Sequence, residues 1–208
     1  MVKLTAPCMS LGASGTLANS IVFSNWKGRA YARSHVIPSN PKSALQVSMR
    51  AMMKFISQAW AGVGSTPQGT WDDLAAAGTY SPFNAFVSKN QMRWREMNAP
   101  SQTYPAAETG TPAVATLDSA VGGERHIDVT FTITTLNDVW GVILYRSPTG
   151  TFTPSIANAI VVLPVDGTGT LVYTDSNLAA GEYFYDATFF SKEGLLDAEE
   201  GEVSGTAT

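Results

Sequence analysis

Cysteine is almost absent. Cys8 is the only one in the chain, which excludes an intrachain disulfide framework and a cysteine-based zinc site and fits folding in a reducing compartment. Histidine is nearly as scarce, with only His35 and His126, so no imidazole cluster for a metal or a proton relay is expected. There is no Gly-x-Ser-x-Gly elbow, no phosphate-binding loop and no dinucleotide fingerprint. Enzyme activity is therefore not expected, nor any cofactor or metal. Apolar runs are short, as at Ile160–Leu163 before Pro164, so no membrane span is expected. Lys3 is followed by a stretch broken by Pro, Gly and Ser, which does not read as a signal peptide. Charge is scarce too: 14% of residues are charged, against about 25% in an ordinary globular domain. Low charge suits either a Thr/Ser/Gly-rich β-protein or a chain that lives bound to other protein.

The charges that are present are segregated. Residues 1–99 carry ten Lys/Arg against three Asp/Glu, a net of +7, and residues 100–208 carry three against fourteen, a net of −11. The overall −4 thus hides two halves, each of which would attract an opposite surface. The sign changes near residues 98–112, where Pro100, Pro105 and Pro112 interrupt a stretch without hydrophobic periodicity. By composition this is a stiffened linker. Three segments are expected: a basic docking domain over 1–98 with a low-charge arm at 1–16, a Pro-rich linker over 99–112, and an acidic domain over 113–208.

In the basic half, Leu17–Phe23 and Ala30–Ile37 are β-prone runs joined through Ser24–Arg29, with Gly28 able to supply the positive φ of a tight hairpin. Arg29, Tyr31, Arg33 and His35 would share one strand face, opposite the small Ala30 and Ala32. Three helices follow. Asn40-Pro41 reads as an N-cap before a first-turn proline, and Leu45, Met49, Met52, Met53, Ile56 and Trp60 form the expected core stripe. A second helix after Thr66-Pro67 carries Trp71 and Leu74 and stops at Gly78, with Asp72 and Asp73 suited to its positive N-terminal end. Ser81-Pro82 opens a third, with Phe83, Phe86, Val87, Trp94 and Met97 on one face. Asn90 lies within that stripe and reads as a buried amide with a partner, in preference to an interface residue.

After residue 112 the period becomes two. Ile127, Val129, Phe131 and Ile133 alternate with polar residues, and Val142/Leu144, Ile160–Leu163, Leu171/Tyr173 and Tyr183–Phe189 continue the pattern. Turn signals at Gly122-Gly123, Pro148-Thr149-Gly150, Asp166-Gly167, Ala180-Gly181 and Glu193-Gly194 divide about seven short strands, which predicts a β-sandwich. Leu178-Ala-Ala-Gly-Glu-Tyr183, then Tyr185 and Ala187, Lys192-Glu193-Gly194 and the closing Gly201–Ala207 run resemble the last third of a fibronectin type III domain. The Leu-to-Tyr spacing is one residue short of that family's pattern, and its early core tryptophan has no counterpart in Arg125–Ile133. The expected fold class is an α+β N-terminal module, a β-hairpin plus three helices, followed by an all-β immunoglobulin/fibronectin III-like sandwich.

Other pairs are read as structural. His126 and Asp128 would share a strand face but lack a third partner, and Glu199, Glu200 and Glu202 surround a solvated turn. The candidate site is the hairpin, where Lys27, Arg29, Arg33 and His35 interleave with Trp26 and Tyr31. That mixture suits phosphate contact with base stacking, and equally the anchors of a protein interface. The cations are too diffuse along the basic half for a dedicated nucleic-acid domain, so an interface is preferred.

The string Val22–Pro41 (VFSNWKGRAYARSHVIPSNP), the helix bearing Gln46 and Arg50, the second Trp-bearing helix and Ser81–Ser88 together resemble the N-terminal region of structural proteins of tailed bacteriophages and prophages. The resemblance implies a virion component, made in the host cytoplasm, whose partners are capsid, neck or tail proteins and copies of itself. An appended sandwich is similar to those that phage decoration, neck and tail proteins display for weak glycan or host-surface contact. Nucleic acid and membrane are not expected partners. A nucleic-acid-binding protein and a secreted glycan-binding module are the alternatives.

Overall fold

The computed structural model describes residues 2–3, 14–37, 40, 42–110, 115–135, 139–198 and 200–208. The expected arm therefore lies mostly outside the described residues. The chain forms two compact units, Met1–Pro41 and Lys42–Thr208.

The first unit is one antiparallel sheet. Its strands β1 (Val2–Lys3), β2 (Gly15–Leu17), β3 (Ile21–Trp26) and β4 (Arg29–Ser34) lie in the order β1-β4-β3-β2. Lys27 and Gly28 link β3 to β4 with φ of 51° and 75°, the pair of positive angles a two-residue type I′ turn requires. The expected run Leu17–Phe23 is not one strand. Ala18 and Asn19 also take positive φ (48° and 52°) and turn the chain between β2 and β3, with the Ser20 N–H donating to the Leu17 carbonyl. Among the described residues, no side chain of this unit belongs to either hydrophobic core of the protein.

The second unit begins with helices α1 (Ala44–Ala59), α2 (Ser65–Gly69), α3 (Asp72–Gly78) and α4 (Pro82–Arg95), with a 3-10 turn at Trp60–Gly62 after α1. The expected Asn40-Pro41 start is displaced: Lys42 has φ 49°, which breaks helical geometry, and α1 opens after Ser43. The Ser81 cap is formed, its side chain accepting from the Asn84 N–H. Among the described residues seven antiparallel strands follow: β5 (Ala115–Gly123), β6 (His126–Ile133), β7 (Val139–Ser147), β8 (Ala159–Pro164), β9 (Gly169–Ser176), β10 (Gly181–Ser191) and β11 (Val203–Ala207). They form a three-stranded sheet β5-β6-β9 and a four-stranded sheet β11-β10-β7-β8. This is the expected sandwich.

One core lies between the sheets, where Ile127, Val129 and Phe131 meet Val142, Leu144, Tyr185 and Phe189. Phe131 and Phe189 pack edge-to-face at 6.3 Å. A second core lies on the outer face of the four-stranded sheet. There Trp140, Ile143, Tyr145, Val162 and Phe190 are buried against Met52, Phe55, Ile56, Phe86 and Trp94 of the helices. Strand β7 is consequently buried on both faces, which explains its unbroken apolar run.

This second core corrects the expected domain organisation. The hairpin and the helices do not form one module over 1–98. The helices share a unit with the sandwich, and the division falls at Pro41/Lys42. The physical reason is the outer face of β7, β8 and β10, too apolar to stand in water. It also rotates the buried face of α1 onto Ser48, Met52, Phe55 and Ile56, leaving the expected core residues Leu45 and Met53 exposed.

Nor do the described residues of 99–112 behave as a free linker. Ala99 and Ser101 are fully buried. The Asn90 amide donates to the Ser101 carbonyl at 3.0 Å and accepts from the Ser101 N–H at 2.7 Å, so Asn90 is the buried, partnered amide its position in the stripe predicts. Trp71 Nε1 donates to the Gln102 carbonyl, and the Gln102 N–H to the Lys192 carbonyl. Arg93 donates to the carbonyls of Ala99 and Gly194 and pairs with Glu108 at 3.1 Å. Pro100 and Pro105 lie in an irregular strap several of whose polar groups are met by the helices and the β10–β11 connection.

Glycine has a packing role at Gly122, which lies inside β5 instead of in the expected turn. A Cβ there would overlap the Thr206 carbonyl of β11, where the two sheets approach. The turn proper is Glu124-Arg125, with Arg125 at φ 56°.

Candidate functional site

Register fixes the faces of the first unit's sheet. Trp26 pairs Arg29, Ser24 pairs Tyr31, and Val22 pairs Arg33, so these six side chains share one face. Phe23 pairs Ala32, Asn25 pairs Ala30, and Leu17 pairs Ile21 on the other. His35 extends the first face beyond β4, its N–H donating to the Ser20 carbonyl at 2.7 Å. Five of the six expected site residues thus lie on one surface, and Lys27 sits at its hairpin tip.

That surface is open. Trp26 is 63% exposed, an unusual state for the largest apolar side chain. Lys27, Arg29 and Arg33 are exposed, while Tyr31 and His35 are half-buried. The Lys27 ammonium sits 4.9 Å from the centre of the Trp26 ring, a cation–π contact that holds the indole at the tip. No Asp or Glu occurs before Asp72, so the positive charge of this sheet has no counter-charge within its own unit. The surface combines an exposed tryptophan, exposed arginines and a local excess of positive charge. It can bind an acidic surface.

The second unit offers less. His126 and Asp128 do share a face of β6, but His126 Nδ1 lies 3.0 Å from the Glu124 carbonyl and Asp128 accepts from the Thr174 hydroxyl at 2.6 Å. Each is occupied locally, in an open depression lined by Arg125, Thr174 and Asn177. A cleft of about 450 Å³ runs along the seam of α1 with β7, lined by Phe55, Gln58, Gln102, Trp140, Asp166 and Lys192. Among the described residues no group of three His, Cys, Asp or Glu could hold a metal ion. No helix among them is long and apolar enough to cross a membrane.

One polar network escaped sequence reasoning. Arg146 of β7 pairs with Asp175 of β9 at 2.6 Å, and the Tyr185 hydroxyl of β10 donates to the same carboxylate oxygen at 3.0 Å. Arg146 also lies over the Tyr183 ring, 5.5 Å from its centre. Burial, then the neighbouring Asp175 charge, push the Tyr185 hydroxyl pKa strongly upward, and the same two causes raise Tyr173. The network ties the two sheets together and is structural. Tyr183 donates to the Ala179 carbonyl four residues back at 3.3 Å, the tyrosine-corner bond of immunoglobulin-like sandwiches.

No family model matches the chain, and no curated protein does. Among solved structures, about half of the chain is similar to a β-1,2-glucanase from Parabacteroides distasonis (TM-score 0.37, 21% identity, 48% of this chain and 13% of that one). It is also similar to an Fn3-like protein from Clostridium thermocellum (TM-score 0.36, 19% identity, 47% of this chain and 94% of that one). A third likeness is to the FN1-FN3 domains of chicken CNTN1 (TM-score 0.33, 17% identity, 48% of this chain and 35% of that one). The sandwich assignment itself rests on strand order and register.

Proposed function

We propose that this chain is a structural component of a tailed-bacteriophage virion, docked on capsid, neck or tail through the sheet of residues 2–37. The observation that carries the reading is the Trp26–Arg29–Tyr31–Arg33 face, with Trp26, Arg29 and Arg33 exposed, on a sheet that adds nothing to either hydrophobic core among the described residues. A single layer of sheet is marginal in water unless something packs on it. The likeness of Val22–Pro41 to phage structural proteins supplies the kind of partner. The helix-covered sandwich is then the portion carried on the particle, and no part of the chain is assigned a catalytic role.

The test is incorporation into particles. Trp26→Ala and Arg33→Ala should each reduce copy number per virion, since a central anchor costs about 2 kcal/mol or more on truncation. Val172→Thr, at an exposed position of β9, serves as the control and should incorporate normally. Normal incorporation of both hairpin variants would refute the docking role. Retention of the free protein on DNA, lost in Arg33→Ala, would favour nucleic-acid binding instead.

A further inference from the structure

The sandwich treats its sheet edges differently. Strand β11 is closed against β5: the Arg125 N–H donates to the Thr208 carbonyl, the Thr208 N–H donates to the Gly123 carbonyl, and Gly122 and Gly205 let the two backbones approach. Strand β8 shifts register against β7 between Leu144 and Tyr145, ends at Pro164, and buries Ala159 and Val162 with the helices. Bulges, prolines and covering helices are the ordinary devices that stop an edge from pairing further. Strand β9 has none of them. It lies last in the order β5-β6-β9 and pairs with β6 over eight residues without a register shift. Among the described residues its backbone bonds to no other element. Residues 167–174 carry no charge and no proline, and Asp175 is buried and paired with Arg146. Alternate N–H and C=O groups along β9 therefore point away from β6, to the open side of the sheet.

We propose that β9 pairs antiparallel with β9 of a second copy of this chain, joining two three-stranded sheets into one of six strands about a two-fold axis at Val172. The side chains select this occupant. With Val172 opposite its own equivalent, Thr170 meets Thr174 and Leu171 meets Tyr173, so outer-face residues pair with outer-face residues and core-side residues with core-side residues. Whichever alternate set of backbone groups faces outward, this register pairs it with its own equivalent. Val172, 54% exposed, becomes covered at the axis. The paired edges bring no like charges together, although residues 42–208 carry nine Lys/Arg against seventeen Asp/Glu, a net of −8. The contact is isologous, so it closes at a dimer. It is made by the second unit alone, and it does not depend on the docking proposed for residues 2–37.

The experiment uses the full chain and needs no virion. One edge strand is a small interface, so sedimentation and light scattering up to about 1 mM should show a monomer–dimer equilibrium. Amide exchange in β9 should slow as the concentration rises. Salt should leave dimerisation unchanged or strengthen it, because it screens two net-negative units. Val172→Lys sets two ammonium groups face to face at the axis and should weaken dimerisation by about tenfold or more. Val121→Lys, at a 61% exposed position of β5 on the same sheet face, should not. Val172→Thr keeps an uncharged strand former and should still pair. Register is read in a Cys8→Ser background. There Val172→Cys should oxidise to a disulfide-linked dimer, because facing Cα atoms about 4.5–5.5 Å apart lie within disulfide reach, and Val121→Cys should not. A monomer at every concentration would overturn the pairing. So would a dimer that salt abolishes, a dimer that Val172→Lys leaves untouched, or Val172→Cys linking no more readily than Val121→Cys.

Discussion

Phe55→Ala is the sharpest test of the shared core between helices and sandwich. Phe55 is only 3% exposed in α1, and its ring packs edge-to-face against Trp140 at 5.0 Å and Phe190 at 5.3 Å, both on strands of the four-stranded sheet. Truncation removes most of a buried aromatic side chain and leaves a cavity walled by sheet and helices, which cannot easily collapse. Such changes cost about 3–5 kcal/mol, out of about 5–15 kcal/mol for a whole domain. With a urea slope of about 2 kcal/mol/M, the midpoint should fall by about 1.5–2.5 M. The assay is urea unfolding followed in parallel by tryptophan fluorescence and by amide protection in β6, on the far sheet of the sandwich. One shared core requires both probes to shift together by the same amount. If the fluorescence transition moves while β6 protection stays put, the helices are a separable domain and the reasoning fails.

Two further outcomes follow from buried polar groups. Asn90→Ala strips partners from both the Ser101 N–H and its carbonyl, and at about 1–3 kcal/mol for each stranded buried group it should destabilise the unit as much as a core truncation, read by thermal unfolding. The raised pKa of Tyr185 means that the unfolded chain releases this proton near pH 10 while the folded chain keeps it. Stability is therefore fully present below about pH 10 and falls above it by about 1.4 kcal/mol per pH unit for this group, and Tyr185→Phe should flatten that alkaline slope in pH-dependent urea titrations.

What the sequence made legible was local. The Lys27-Gly28 hairpin, the Ser81 cap, the position of Asn90 and the seven strands all follow from neighbours a few residues apart, where turn angles, caps and the two periods act. The domain boundary was not legible because its cause is long-range. Leu45 and Met53 fit a helical stripe as well as Phe55 does, and only the outer face of β7, β8 and β10 decides which side of α1 is buried. The proline-rich stretch misled for a related reason: composition registers the missing periodicity of residues 98–110, but not the Trp71, Asn90 and Arg93 side chains that collect its backbone groups. Of the site, the face of the hairpin was readable from alternation, while the Arg146–Asp175–Tyr185 tie depends on a cross-sheet pairing that no spacing reveals.

The two charge blocks seen in the sequence change meaning once the boundary moves. Split near residue 99, the basic half includes Arg50, Lys54, Lys89, Arg93 and Arg95, and invites a reading as one broad cationic surface. The structure puts those five on helices that belong to the sandwich's unit, where Arg93 is already committed to Glu108 and to the Ala99 and Gly194 carbonyls. The element proposed to dock is smaller and more sharply defined: one sheet, four cations, no acids, and a tryptophan at its tip. A phosphate backbone rewards many spread cations, each adding its own counterion release. A protein interface draws its energy from a few anchored aromatic and arginine side chains surrounded by near-neutral contacts. In the proposed reading, moving the boundary favours a protein partner over nucleic acid, because it takes the helix cations out of the basic module while leaving Trp26, Arg29, Tyr31 and Arg33 in place.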